Sequence, residues 1–174
     1  MNKRMKEMTI TGLLTALAIV LPMFMPKVTI PPFTMTLASH VPSILAMFIS
    51  PFAVIFVGLG NAIGFMSLGP IVVSRALTHI LFGLIGYYLV KKDWNYILIG
   101  IITLFFHGLF EAIVTALFSA SLLADGKAVM PAVLTALFGT WVHHAMDYII
   151  STPIFIALVK SKLIDGKIPF KKKG

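Results

Sequence analysis

The chain has no cysteine, and only 11% of its 174 residues carry a charged side chain. The first absence removes disulfides, thiolate metal ligands and thiol nucleophiles together. The second removes the polar shell that a soluble domain of this size needs. With 59% of the residues hydrophobic and a mean hydropathy of +0.99, the chain reads as an integral membrane protein. No G-x-x-x-x-G-K-[ST], H-E-x-x-H or G-x-S-x-G motif occurs, so ATP hydrolysis by the P-loop route and intramembrane hydrolysis both lack their usual parts. Nor is there an evident inverted repeat of the sort frequent in secondary transporters. The chain is therefore not expected to be an enzyme, nor to carry a cofactor or a metal of its own.

What is present is hydrophobic sequence in helical lengths. About 20 apolar residues cross a bilayer, so the chain has room for about six spans in a single transmembrane domain over residues 1–174, an all-α bundle. The spans are expected at about 8–25, 37–49, 51–67, 71–90, 96–122 and 130–159. Pro51 separates the second from the third, and the second is short enough to be tilted or buried. The first follows Lys3, Arg4 and Lys6 like a signal peptide but lacks a small-x-small cleavage site, which favours a retained helix. With six crossings, these residues, Lys91 and Lys92, and Lys160, Lys162, Lys167 and Lys171 to Lys173 all fall on one side. Only Lys27 and Lys127 fall on the other. The positive-inside rule then makes both termini cytoplasmic. The net charge of +8 is thus a topology and headgroup signal, and nucleic acid is not an expected partner.

Charge inside a membrane costs at least about 2.5–3.5 kcal/mol and usually faces a bundle interior. Arg75, Glu111, Asp147 and all five histidines lie within expected spans. Arg75 and His79, His107 and Glu111, and His143 and Asp147 are each four apart, so each pair shares a helix face. At 1.5 Å per residue, Arg75 lies about 6 Å and His79 about 12 Å from the outer side, with Glu111 and Trp141 about 16 Å deep and Asp147 about 25 Å. His40, Asn61, Arg75, His79, Glu111 and Trp141 are thus the expected lining of an outward pocket. Plainer roles stand beside this one: an Arg75–Glu111 structural ion pair, packing for Trp141, and satisfied histidines. The adjacent His143 and His144 diverge by about 100° on a helix, which argues for a helix-packing hydrogen bond there and not a metal. The loop Lys27 to Met35, KVTIPPFTM, is the expected lid, stiffened by Pro31 and Pro32, with Phe33 as an apolar plug and Thr34 beside it; the alternative is a plain connector.

The basic N-terminus, the hydrophobic spans, the Pro-containing first loop and the stretch TLASHVPSILAMFISPFAVIFVGLGNAIGF (Thr36 to Phe65) together resemble the S components of energy-coupling factor vitamin transporters. These are substrate-binding membrane subunits, and the resemblance covers almost the whole chain. Many relatives carry an aspartate where this chain has His40, a departure that bears on the substrate. The ASHVP segment followed by SRALTHI is most similar to the niacin-specific branch. Nicotinate, a small aromatic anion, suits an arginine, hydrogen-bonding histidines and a stacking aromatic. Pantothenate is the nearest rival, while folates or cobalamin need a wider pocket.

The resemblance further implies a transmembrane coupling protein and two cytosolic ATPases as partners, ATP being used by those subunits, and toppling of the S component within the bacterial plasma membrane. It places the coupling contact on small residues of the first helix, here Gly12 and Ala16 with Thr11 and Thr15 beside them. That departs from a strict Ala-xxx-Ala, although small residues still permit close helix approach. Two readings of other classes remain: a proton-coupled secondary transporter in which Glu111 or Asp147 relays protons, and a membrane scaffold without a ligand.

Overall fold

A computed structural model describes residues 2–31, 33–122 and 128–169, with side chains left aside at 120–122. The expected lid residue Pro32, Lys127 and Lys171 to Lys173 lie outside the described residues. Helix α1 (Lys3–Phe24) starts at Asn2, whose side chain accepts a hydrogen bond from the Arg4 N–H at 3.2 Å. Strands β1 (Lys27–Ile30) and β2 (Phe33–Thr36) form an antiparallel hairpin with Ile30 opposite Phe33. Helices α2 (Val41–Ala46) and α3 (Pro51–Gly64) follow, then a 3₁₀ turn at Met66–Leu68. Helices α4 (Pro70–Leu77) and α5 (His79–Lys91) form one broken rod, and α6 (Tyr96–Leu122) and α7 (Val129–Lys160) complete the order.

The rods Lys3–Phe24, Pro70–Lys91, Tyr96–Ser119 and Val129–Lys160 are long and apolar enough to cross a membrane, and α3 is a shorter apolar helix. The surface is inverted relative to a soluble protein. Leu13 is 62% and Ile149 71% exposed, while histidines, serines and threonines are buried. Lipid is the solvent such a surface fits, and it leaves polar groups only one another for partners.

The structure departs from the sequence reading in three places. The fold is mostly but not wholly helical, since the loop expected as an extended lid folds into the β1–β2 hairpin. The 37–49 segment, expected as one short span, is helical only over Val41–Ala46. Ahead of it the chain turns through Ala38 at a φ of +64°, an unfavourable conformation for a residue with a Cβ. That turn aims the N–H groups of Ala38 and His40 at Asp147, 2.8 and 2.9 Å away. A buried carboxylate supplies what helical carbonyls would have. The third departure is at Thr78, where the 71–90 segment breaks and the hydroxyl donates to the Arg75 carbonyl at 2.6 Å.

Close packing sets the frame around the site. A Cβ on Gly64 would stand 2.6 Å from the Ile19 carbonyl oxygen and one on Gly60 2.9 Å from that of Thr15, so α1 and α3 touch backbone to side chain-free backbone. Thr11 is buried and Thr15 half-buried on that inward face, whereas Gly12 and Ala16 are exposed. At the opposite end from the hairpin, Phe48 packs on Phe155 at 4.3 Å between ring centres. There Lys6 donates to the Lys162 carbonyl and Lys167 pairs with Asp93, bringing the start of α1, the α5–α6 turn and the residues after α7 together.

Candidate functional site

The buried charged residues and the histidines converge on one point between α2, α4, α5, α6 and α7. Glu111, 4% exposed on α6, is the hub. Its Oε2 accepts from Arg75 Nε at 3.0 Å, Arg75 Nη2 at 2.5 Å and the Thr140 hydroxyl at 2.5 Å. Its Oε1 faces His107 Nε2 at 3.2 Å and His79 Nε2 at 3.6 Å. The helical spacing that aligned Arg75 with His79 and His107 with Glu111 thus brings both pairs to one centre.

His40, the residue at the start of α2, enters from the side. Its Nε2 is 3.2 Å from His79 Nε2, and its ring centre lies 4.2 to 4.6 Å from those of His79, His107 and His143. Its Nδ1 lies 3.2 Å from Asp147 Oδ2, at an angle too poor for a full hydrogen bond. Asp147 also faces His143 Nε2 at 3.2 Å, and that nitrogen stands 2.8 Å from the Thr36 carbonyl oxygen of β2. Behind the centre, His107 Nδ1 meets His144 Nδ1 at 3.0 Å and His144 Nε2 meets the Thr103 hydroxyl at 3.2 Å. All five histidines belong to a single buried network.

The hairpin covers this network. Phe33 is buried, with the Arg75 guanidinium carbon 5.2 Å from its ring centre. A Cβ on Gly139 would come within 2.7 Å of the Phe33 ring, so the glycine makes the ring's seat on α7. Beneath it a cavity of about 10 Å³ is lined by Thr34, His40, Arg75, His79, Glu111 and His143, among others. That volume is about one water, too small for a ring-bearing ligand as the residues stand. The larger cavity, about 400 Å³, lies at the basic end beside Lys3, Lys91 and Lys167, remote from the histidines.

Of the residues expected to line the pocket, His40, Arg75, His79 and Glu111 come together. Asn61 lies apart in the α2–α3 contact, donating to the Ser43 hydroxyl at 2.6 Å. Trp141 is half-buried away from the network, its indole against Gly108 and between the exposed Phe105 and Phe138, at ring-centre distances of 6.3 and 5.4 Å. It sits one helical step, about 100°, from the inward Thr140. Thr140, His143 and Asp147 were not expected at the site. Counting depth from the start of α7 put Asp147 too far down, because the turn at 37–40 descends to meet it. The signal in the sequence was the His143–Asp147 spacing, the same as that of Arg75 and His79.

No protein-family model matches the chain, and no solved structure matches it. Similarity to a described protein does exist. The niacin transporter NiaX of Lactococcus lactis subsp. cremoris (strain MG1363) is 33% identical over 174 residues, covering 93% of this chain and 78% of that protein.

Proposed function

The chain belongs to the S components of energy-coupling factor transporters, on the niacin-transporter branch, and from that premise we propose that it captures nicotinate on the outer side of the cell membrane. The protein is a multi-pass membrane protein of vitamin uptake. The observation that carries the substrate reading is the placement of Arg75, under Phe33 and against the small cavity that His40 and His79 also line. A carboxylate entering there takes up guanidinium N–H groups now given to Glu111. Once the cavity widens, the pyridine ring would meet its apolar lining at Phe65 and Val72, and a histidine N–H would serve its ring nitrogen. Because the cavity holds no more than a water, entry requires the hairpin to lift.

Six passes, with both termini at the cytoplasmic face, fit the way the segments meet. The basic ends of α1, α5 and α7 gather at one pole and the hairpin occupies the other. Without a nucleotide motif the subunit draws its energy from partners: a transmembrane coupling protein and two cytosolic ATPases that use the ATP. Toppling within the bilayer then carries the occupied site across. Gly12 and Ala16, exposed on α1, offer the coupling protein a surface where backbones approach closely.

The decisive experiment co-purifies the chain from cells expressing a shared coupling protein and ATPases, with mass spectrometry of the retained small molecule. Retained nicotinate with all three partners supports the reading. Retained pantothenate would change the vitamin, and purification without those partners would remove the energy-coupling role.

A further inference from the structure

We propose that His40, His79, His107 and Glu111 form a buried binding site for a divalent transition metal of the zinc class. The inference stands on the geometry of the network and goes beyond the vitamin-binding reading.

The ligating atoms of these four residues all lie within 4.8 Å of one another. Donors about 2.0–2.1 Å from a tetrahedral zinc stand about 3.3–3.4 Å apart. The separations here are 3.2 Å between the Nε2 atoms of His40 and His79, 3.2 Å between His107 Nε2 and Glu111 Oε1, and 3.6 Å between His79 Nε2 and that oxygen. Hydrogen bonding alone accounts poorly for this arrangement. His79 Nε2 faces both His40 Nε2 and Glu111 Oε1 with at most one proton to give, and the same carboxylate oxygen also faces His107 Nε2.

The surroundings match a metal site as well. Arg75 and Thr140 occupy Oε2 of Glu111 and leave Oε1 aimed at the centre. His107 has its other nitrogen on His144, the kind of outer support that orients a metal-bound imidazole, while the other nitrogen of His40 lies 3.2 Å from Asp147 without a full hydrogen bond. Three imidazoles with one carboxylate suit zinc, cobalt or nickel, whereas magnesium and calcium favour all-oxygen shells. Charge points the same way. With neutral histidines, the buried Arg75, Glu111 and Asp147 sum to −1, a net negative interior that attracts a cation. A divalent cation turns that sum to +1. Helical spacing alone hides the cluster, since its ligands come from α6, from α5 and from the turn into α2.

The test uses the full chain, purified in detergent on a histidine-free tag and stripped with a chelator. Co²⁺ is titrated as the probe and followed by its visible ligand-field bands, and Zn²⁺ is then added. The expected result is a tetrahedral spectrum saturating at one equivalent and abolished by Zn²⁺. His79→Gln and His107→Gln should each lose that signal while remaining monodisperse on size exclusion. A stripped wild-type protein that gives only an octahedral spectrum, or no saturation at one equivalent, overturns the site. So does a signal that survives in His79→Gln. Nicotinate binding, measured separately by calorimetry on the same preparation, reports on the vitamin reading and leaves this result independent of it.

Discussion

Glu111 divides its two oxygens between two tasks, and the consequences can be measured one residue at a time. Oε2 neutralises Arg75 while Oε1 faces two histidines. Removing one partner of a buried ion pair costs about 3–5 kcal/mol, because the other charge stays out of water. Glu111→Ala is therefore expected to lower unfolding stability by about that amount, and the double change Arg75→Met with Glu111→Leu by clearly less; chemical denaturation in detergent checks both. Arg75→Ala should also weaken nicotinate binding by about 1.5–3 kcal/mol, roughly 10–150-fold. Calorimetry on folded protein decides it. Unchanged affinity would leave Arg75 as the structural partner of Glu111 alone.

At the scale of elements, the hairpin and the α1–α3 contact make different demands. Strand β2 turns Phe33 and Thr36 inward while β1 is exposed throughout, so the hairpin is held by one strand and by one ring seated on Gly139. A spin label at Thr34 should lose mobility when nicotinate saturates the protein; no change would count against a lid. Gly139→Val should unseat Phe33 and speed ligand release, which stopped-flow dissociation reads directly. In the α1–α3 contact the neighbour of a new Cβ on Gly64 is backbone, which cannot swing aside. Gly64→Ala is expected to cost about 1–3 kcal/mol of stability, the usual scale of overpacking, and to leave the pocket chemistry intact.

For the molecule as a whole, binding and transport should separate. Purified subunit in liposomes is expected to bind nicotinate without accumulating it, and to support ATP-dependent uptake once the coupling protein and ATPases are added. Gly12→Leu or Ala16→Leu should block that uptake and spare binding, because both positions are exposed and nothing beyond its own stretch of helix lies within 4 Å of a Cβ built on Gly12. A defect in binding instead would mean the substitution had reached the bundle interior. Uptake by the isolated subunit on a proton gradient would favour a secondary transporter. The chain of contacts from His40 through His79, Glu111, His107 and His144 to Thr103 would then be the first relay to dissect.

Hydropathy and helical periodicity are local properties, and what depends on them was legible in the sequence. The membrane setting, the long rods, the family, and the shared faces of Arg75 with His79 and of His107 with Glu111 all follow from residues within a turn or a span of one another. Which faces meet is not local. Trp141 and Thr140 are sequence neighbours, yet one packs on Phe105 away from the network and the other donates to Glu111. The 37–49 segment reads as a helix until Asp147, over a hundred residues later, draws the N–H groups of Ala38 and His40 away from it. The hairpin, the turn at Ala38 and the meeting of imidazoles from three parts of the chain around one carboxylate were decided by tertiary structure. In a lipid-facing bundle a buried polar group must find its partner inside, however distant along the chain that partner lies.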